Sequence, residues 1–192
     1  MDAIYEFDFA ALDALQTIHN PALNMVMAFF TTIGEGGILW IALALMFFVI
    51  KKTRLMGWSM IQALAFEGII SELIIKNLVQ RQRPFLYRPE IDTIVNRPTS
   101  FSFPSGHTCT AFACSTVIFC FNKKLGIVSY IVAVLIGFSR NYFFIHFPTD
   151  VLCGMLEGIV LGLLAVVVVR KLNEKLFAKK EKEKELTAPR EE

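Results

Sequence analysis

Five stretches of this chain are built almost wholly from Leu, Ile, Val, Phe and Ala: residues 38–50, 57–75, 108–121, 125–138 and 151–169. With 55% of 192 residues hydrophobic, a soluble domain of this length has too little interior to hide such runs, so a bilayer is the natural solvent. About 20 apolar residues cross a membrane, and several of the runs are shorter than that. Flanking polar residues must therefore snorkel, helices must begin inside the adjoining loops, or some segments stop short of a full crossing. A sixth stretch, 22–33, follows the helix-start pair Asn20-Pro21 and runs into the breaker Gly34-Glu35-Gly36-Gly37. The expected fold is all-α, a polytopic membrane bundle of about six crossings, with 22–33 and 38–50 as a short first and second crossing.

Ahead of the bundle, Ile4, Phe7, Ala11, Leu15 and Ile18 recur at steps of three and four, which predicts an amphipathic helix over residues 1–20 lying in the membrane interface. Its polar positions, Glu6 and Asp13, are acidic, which is unusual for a helix that meets anionic lipid. The opening residues Met1, Asp2, Glu6 and Asp8 lack the basic lead of a cleaved signal, so the mature chain is expected to begin at Met1. Beyond Arg170 the sequence mixes Lys with Glu, and 171–192 reads as a charged tail, a fraying helix or disorder, leaving 21–170 as the membrane domain. Cys109, Cys114, Cys120 and Cys153 lie in or beside apolar runs without metal-type spacing and read as small buried hydrophobes. A net charge of +2 argues against nucleic acid as a partner.

Lys51, Lys52, Arg54, Lys123, Lys124 and the basic start of the tail fall on one side of these crossings, which the positive-inside rule makes cytoplasmic. The opposite, extracytoplasmic side then holds the longest polar stretch, 76–106, and the 140–150 connector. Pro84, Pro89, Pro98 and Pro104 make that stretch a structured loop. It also carries Arg81, Arg83, Arg88 and Arg97, where the rule disfavours them, and an anionic ligand supplies a reason.

Three clusters share this outer side. Lys76, Arg83 and Arg140 are suited to surround a phosphoryl group, whose charge spreads over three oxygens in transfer, the arginines as forks and the lysine as a point charge. Ser105 and Gly106 open a helix, so their N–H groups and the helix N-terminus are expected to face the anion, and Gly106 lets the backbone approach it. His146, with Asp150 four residues on to accept its ring N–H, fits the nucleophile, and His107 fits the general acid. No metal or cofactor is called for. Glu72 can pair with Lys76 one turn away. Glu67 and Glu157 lie within apolar runs, where such groups face the bundle interior and read as neutral or water-linked. Glu35 falls on the site side, where it either touches a headgroup or is an inconsequential loop position. His19 has no motif partner, and Arg81, Arg88 and Arg97 suit either a second phosphate or anionic headgroups.

Lys-x6-Arg-Pro, Pro-Ser-Gly-His and Ser-Arg-x5-His-x3-Asp stand intact and in order at 76–84, 104–107 and 139–150. In these motifs the chain resembles the type 2 phosphatidic acid phosphatase (PAP2) superfamily, which includes lipid phosphatases, undecaprenyl diphosphate phosphatases and vanadium haloperoxidases. The resemblance implies that Lys76, Arg83, Ser105, Gly106 and Arg140 bind phosphate, that His107 protonates the leaving group and that His146, oriented by Asp150, forms a phosphohistidine. In a short chain of this kind it favours conversion of undecaprenyl diphosphate to the monophosphate, with phosphatidate or phosphatidylglycerophosphate as alternative substrates. A non-catalytic lipid-binding or transport protein predicts erosion of His107, His146 or Asp150, and none is eroded. A haloperoxidase predicts a soluble chain, which the apolar runs oppose.

Overall fold

The computed structural model describes residues 3–187, and all of its regular elements are helices: α1 (Ala3–Gln16), α2 (Pro21–Gly34), α3 (Ile38–Val49), α4 (Arg54–Glu67), α5 (Lys76–Val79), α6 (Pro84–Tyr87), α7 (Gly106–Phe121), α8 (Lys123–Tyr142) and α9 (Pro148–Thr187). Four helical stretches are long and apolar enough to cross a membrane: Pro21–Val49, Arg54–Tyr87, Lys123–Tyr142 and Pro148–Leu176. The apolar α7 is shorter, about 24 Å at 1.5 Å per residue. It is nonetheless the axis of the bundle, buried on nearly every residue from Gly106 to Ile118 and packed against α4, α8 and α9.

The first two expected crossings are two halves of one. At about 21 Å and 18 Å, α2 and α3 each fall short of a hydrocarbon core of about 30 Å. The α2 half starts at the site end, where the Tyr142 hydroxyl donates to Asn24 Oδ1, and descends past Ile136, which a Cβ on Gly34 would meet at 2.9 Å. A 3₁₀ turn, Glu35–Gly37, follows, with Gly36 and Gly37 at φ 57° and 67°, a conformation only glycine adopts freely. The α3 half then reaches the far end, where Phe48 abuts Gly57. The glycines thus break a crossing midway instead of reversing it, which lowers the count of crossings by one and brings the exposed Glu35 beside His107.

Local chemistry sets several ends as the sequence indicates. Asn20 Oδ1 accepts from Leu23 N (2.9 Å) with Pro21 next, capping α2, and Asn122 Oδ1 accepts from Leu125 N (3.1 Å), capping α8. Between α4 and α5 the chain widens into a π-helical segment, Gly68–Ile75, a distortion common at functional sites. The 76–106 loop contains only the two short helices α5 and α6. The last helix passes residues 170 and 171 without interruption and continues to Thr187, while 188–192 lie outside the described residues.

α1 lies over the site end. Asp8, Phe9 and Leu12 are buried, whereas Ile4 and Phe7 are more than half exposed. Phe9 and Leu12 join Met27, Phe85, Tyr142, Phe143, Phe144, Ile145 and Phe147 in a second core separate from the one around α7. The 143–147 connector is therefore fixed on both sides of His146 by buried side chains.

Contact between α7 and α9 depends on a row of glycines at one-turn spacing. A Cβ on Gly154, Gly158 or Gly162 would fall 2.7, 2.4 or 2.5 Å from the carbonyl oxygens of Ser105, Cys109 and Ala113 respectively. Small residues at this spacing let helix backbones touch inside a membrane, where no hydrophobic drive brings helices together. Gly158→Ala is expected to destabilise the protein by about 1–3 kcal/mol through overpacking. Gly68→Ala, with no atom within 4 Å of the new carbon, is expected to be tolerated. Thermal melting of both variants in detergent is the check.

Candidate active site

One cavity of about 450 Å³ opens at the site end and is lined by Lys76, Arg83, Gly106, His107, Arg140 and His146, together with Glu35, Glu67 and Glu72. Six of the eight residues singled out from the sequence thus meet on one surface, drawn from four separate parts of the chain. Asp150 stands directly behind, its Oδ2 3.6 Å from His146 Nδ1. Ser105 is the exception. Its N–H donates to the Asp150 carbonyl (3.1 Å), its Oγ pairs with Thr108 Oγ1 (2.9 Å), and it does not line the cavity. The expectation that its N–H faces an anion therefore gives way to a structural role, tying the start of α7 to the start of α9.

His146 is 1% exposed, and its environment selects a tautomer. Arg83 Nη1 lies 3.0 Å from His146 Nε2, and a guanidinium only donates, so Nε2 carries the lone pair. The proton then sits on Nδ1, toward Asp150 Oδ2 and Ser102 Oγ, 3.5 Å away. Burial holds the imidazole well below its ordinary pKa, and Arg83, Arg140 and Lys76 push in the same direction, so the ring is neutral. The ring thus presents its lone pair, held by Arg83, on the wall of the cavity.

Arg83 is engaged differently from a free phosphate fork. Its Nε donates to Ser100 O (2.7 Å), Nη1 to Ile145 O (2.9 Å) and His146 Nε2, and Nη2 to Ser100 Oγ (3.1 Å) and Phe101 O (3.2 Å). All five N–H groups are committed to protein, so Arg83 clamps the 100–101 loop to the His146 connector while lending the cavity its charge. Arg140 donates through Nη1 to Thr31, and its buried Nε has no partner among the described residues. Lys76 Nζ binds Glu72 Oε1 at 2.5 Å, the pairing expected one helical turn apart. His107 Nε2 is buried without a hydrogen-bond partner among the described residues, and Glu35 Oε2 stands 4.0 Å from it.

Gly106 is required by a neighbouring side chain: a Cβ there would lie 2.2 Å from Glu72 Oε1, the atom that holds Lys76. Within the membrane interior Glu157 Oε2 accepts from Ser71 Oγ (3.1 Å) of the π-helical segment, while its buried Oε1 has no partner among the described residues.

The remaining loop arginines turn away from the cavity. Arg81 reaches Asp8 and Asp150, Arg88 pairs with Asp13, and Arg97 donates to the carbonyls of Pro89 and Ile91. Two oddities of the sequence, an acidic face on α1 and an arginine-rich outer loop, thus answer each other. Sequence reasoning missed Ser102, which donates to Asp150 Oδ2, and the partnership of Asp8 with Arg81, since neither belongs to a motif or a local spacing.

Residues 56–174 match the PAP2 superfamily. The chain belongs to that family. PAP2 relatives include an undecaprenyl-diphosphatase of Sulfolobus acidocaldarius, 28% identical over 81% of this chain and 78% of its own length. Another is phosphatidylglycerophosphatase B of Bacillus subtilis, 31% identical over 91% of this chain and 87% of its own. Among solved structures, Aquifex aeolicus LpxE superposes with a TM-score of 0.71 at 27% identity, covering 83% of this chain and 94% of that one. The protein is therefore a multi-pass membrane PAP2 phosphatase acting on lipid phosphates.

Gly106→Ala is expected to displace Glu72 and with it Lys76, lowering kcat/KM by about 100-fold, the scale on which a misplacement of 1 Å acts. Phosphate release from a lipid phosphate, measured beside a melting curve, checks this.

Proposed function

We propose that this PAP2 phosphatase hydrolyses undecaprenyl diphosphate to undecaprenyl phosphate and inorganic phosphate, through a phosphohistidine on His146. The observation that carries the mechanism is the pair of imidazoles, His107 and His146, on one cavity with Lys76, Arg83 and Arg140. His146 Nε2 attacks the terminal phosphorus, and the bond from phosphorus to the bridging oxygen breaks. The electron pair leaves with that oxygen, which takes a proton from His107. Water then attacks the phosphohistidine, giving its proton to His107 and releasing phosphate with His146 restored. Asp150, aligned on Nδ1, offsets the charge the ring gains. As phosphorus nears Nε2, the Arg83 Nη1 hydrogen bond to that nitrogen is released and turns to a phosphoryl oxygen. Lys76 and Arg140 neutralise the other oxygens.

A diphosphate is favoured by a second cavity of about 250 Å³, lined by Thr31, Thr32, Asn96 and others, which shares Glu35, Pro98 and Arg140 with the first. Glu35, which stands beside His107, and Arg140 are common to both cavities, which supports reading the second as room for the other phosphate on the leaving-group side. The name of the Sulfolobus relative supports the same substrate. Phosphatidylglycerophosphate is the second reading, supported by the Bacillus relative's coverage of nearly the whole chain.

We assign the site end to the extracytoplasmic surface, because the basic residues of the short loops and of the last helix lie at the other end, Arg54 against Phe48, Lys123 against Phe119 and Arg170 against Phe121, while the loop arginines at the site end are engaged by carboxylates and carbonyls. Lipid then enters from the outer leaflet, and the charged end of α9 lies on the cytoplasmic side.

Purified protein with EDTA is expected to release phosphate from undecaprenyl diphosphate with higher kcat/KM than from phosphatidate or phosphatidylglycerophosphate, and His146→Ala to lose turnover. Higher efficiency on phosphatidylglycerophosphate overturns the substrate assignment. Loss of activity on chelation overturns the metal-free route.

A further inference from the structure

The PAP2 motifs assign nothing to Asp8, Arg81 and Thr149, which join Asp150 in a buried polar cluster. Arg81 donates through Nη1 to Asp150 Oδ1 (2.6 Å) and Thr149 Oγ1 (2.7 Å), and through Nη2 to Asp8 Oδ2 (2.6 Å). Both carboxylates are wholly buried, and the Arg81 side chain is 10% exposed. Its guanidinium sits in the corner formed by two perpendicular aromatic rings, 4.7 Å from the Tyr5 centroid and 4.1 Å from that of Phe147. Asp8 closes the cluster by accepting from Thr149 N (3.0 Å) through Oδ1 and from Thr149 Oγ1 (2.6 Å) through Oδ2. Thr149 is the second residue of α9, so a carboxylate carried by α1 satisfies an N-H at the start of the helix that bears Asp150.

We propose that Asp8 and Arg81 are a positioning pair for the reaction, which makes the N-terminal helix a working part of the site. Asp150 divides its two oxygens: Oδ2 serves the nucleophile's side, with His146 Nδ1, Ser102 Oγ and Phe147 N (3.0 Å), while Oδ1 is held by Arg81. The hold on Oδ1 fixes the carboxylate's rotation and so the aim of Oδ2. A cation bound to Asp150 alone would draw its negative charge away from the imidazole, and Asp8 offsets that cation. The charge then remains available to stabilise the imidazolium that forms when His146 bonds to phosphorus. Neither residue touches the cavity, so both act through Asp150.

This inference rests on His146 being the nucleophile, and the experiment separates the two. Full-length protein in detergent micelles is assayed with farnesyl diphosphate as the probe, comparing wild type, Asp8→Asn, Arg81→Lys and His146→Ala. Asparagine retains an oxygen for Thr149 N and the fold of the helix start, but removes the charge. Lysine retains the charge but not the fork. Asp8→Asn is expected to lower kcat about 10-fold to 100-fold, the scale on which outer partners of an oriented histidine act, with KM changed less than about twofold. Arg81→Lys is expected to lie between it and wild type, with melting temperatures close to the parent's. Wild-type kcat in folded Asp8→Asn, or an effect confined to KM, overturns the pair. If Asp8→Asn fails to fold, wild-type kcat in Arg81→Lys overturns it, and a kcat loss there at constant KM supports it. Turnover by His146→Ala overturns the nucleophile assignment instead.

Discussion

One buried carboxylate organises the site end of this protein. Asp150, at the start of α9, accepts from Ser102, from Phe147 N and from Arg81, lies against His146, and offers its backbone carbonyl to Ser105 N. A buried anion is costly unless its acceptor capacity is filled, and filling it here draws together the 81–102 loop, the start of α7, the His146 connector and, through Arg81, the N-terminal helix. The glycine row on α9 complements this knot. By letting the two backbones touch from Ser105 to Ala113, it sets α9 at the depth where Asp150 meets Ser105.

The cavity that results holds three cations and three carboxylates around two histidines. Placing cations in a partly apolar bundle costs solvation, and each is held by protein: Lys76 by Glu72, Arg83 by backbone carbonyls and a serine, Arg140 by Thr31. These contacts leave the charges on the wall of the cavity that the two imidazoles share. In the proposed reaction a phosphoryl group enters a field already organised to receive it, so little rearrangement accompanies bond making. The glycine break in the first crossing belongs to the same design, since it admits Glu35 beside His107 at a depth where a continuous helix would present apolar side chains.

The sequence made legible what short spacing controls. Glu72 and Lys76, His146 and Asp150, and the helix start at Asn20 are set within one turn, so residue type and interval suffice. Assembly of three motifs on one side followed from counting crossings, and survived an error in that count. Folding the first two apolar stretches into one crossing moves only the elements before Lys51. What resisted reading depends on partners far along the chain. Arg81 finds Asp8 across 73 residues, and Ser105 gives its N–H to Asp150. Arg83 spends its donors on carbonyls that any residue type carries, which no side-chain pattern announces. The glycine period on α9 stood in the sequence, but it acquires meaning only with the α7 backbone laid against it.

The central claim is that phosphorus passes through a bond to His146 Nε2. Rapid acid-free quenching of the enzyme during turnover of undecaprenyl diphosphate, followed by peptide mass spectrometry under alkaline conditions that preserve phosphoramidates, tests it directly. The account predicts a phosphoryl group on His146 during turnover and none in His146→Ala. Phosphorylation of a different residue, or the absence of any phosphoenzyme throughout turnover, would contradict it.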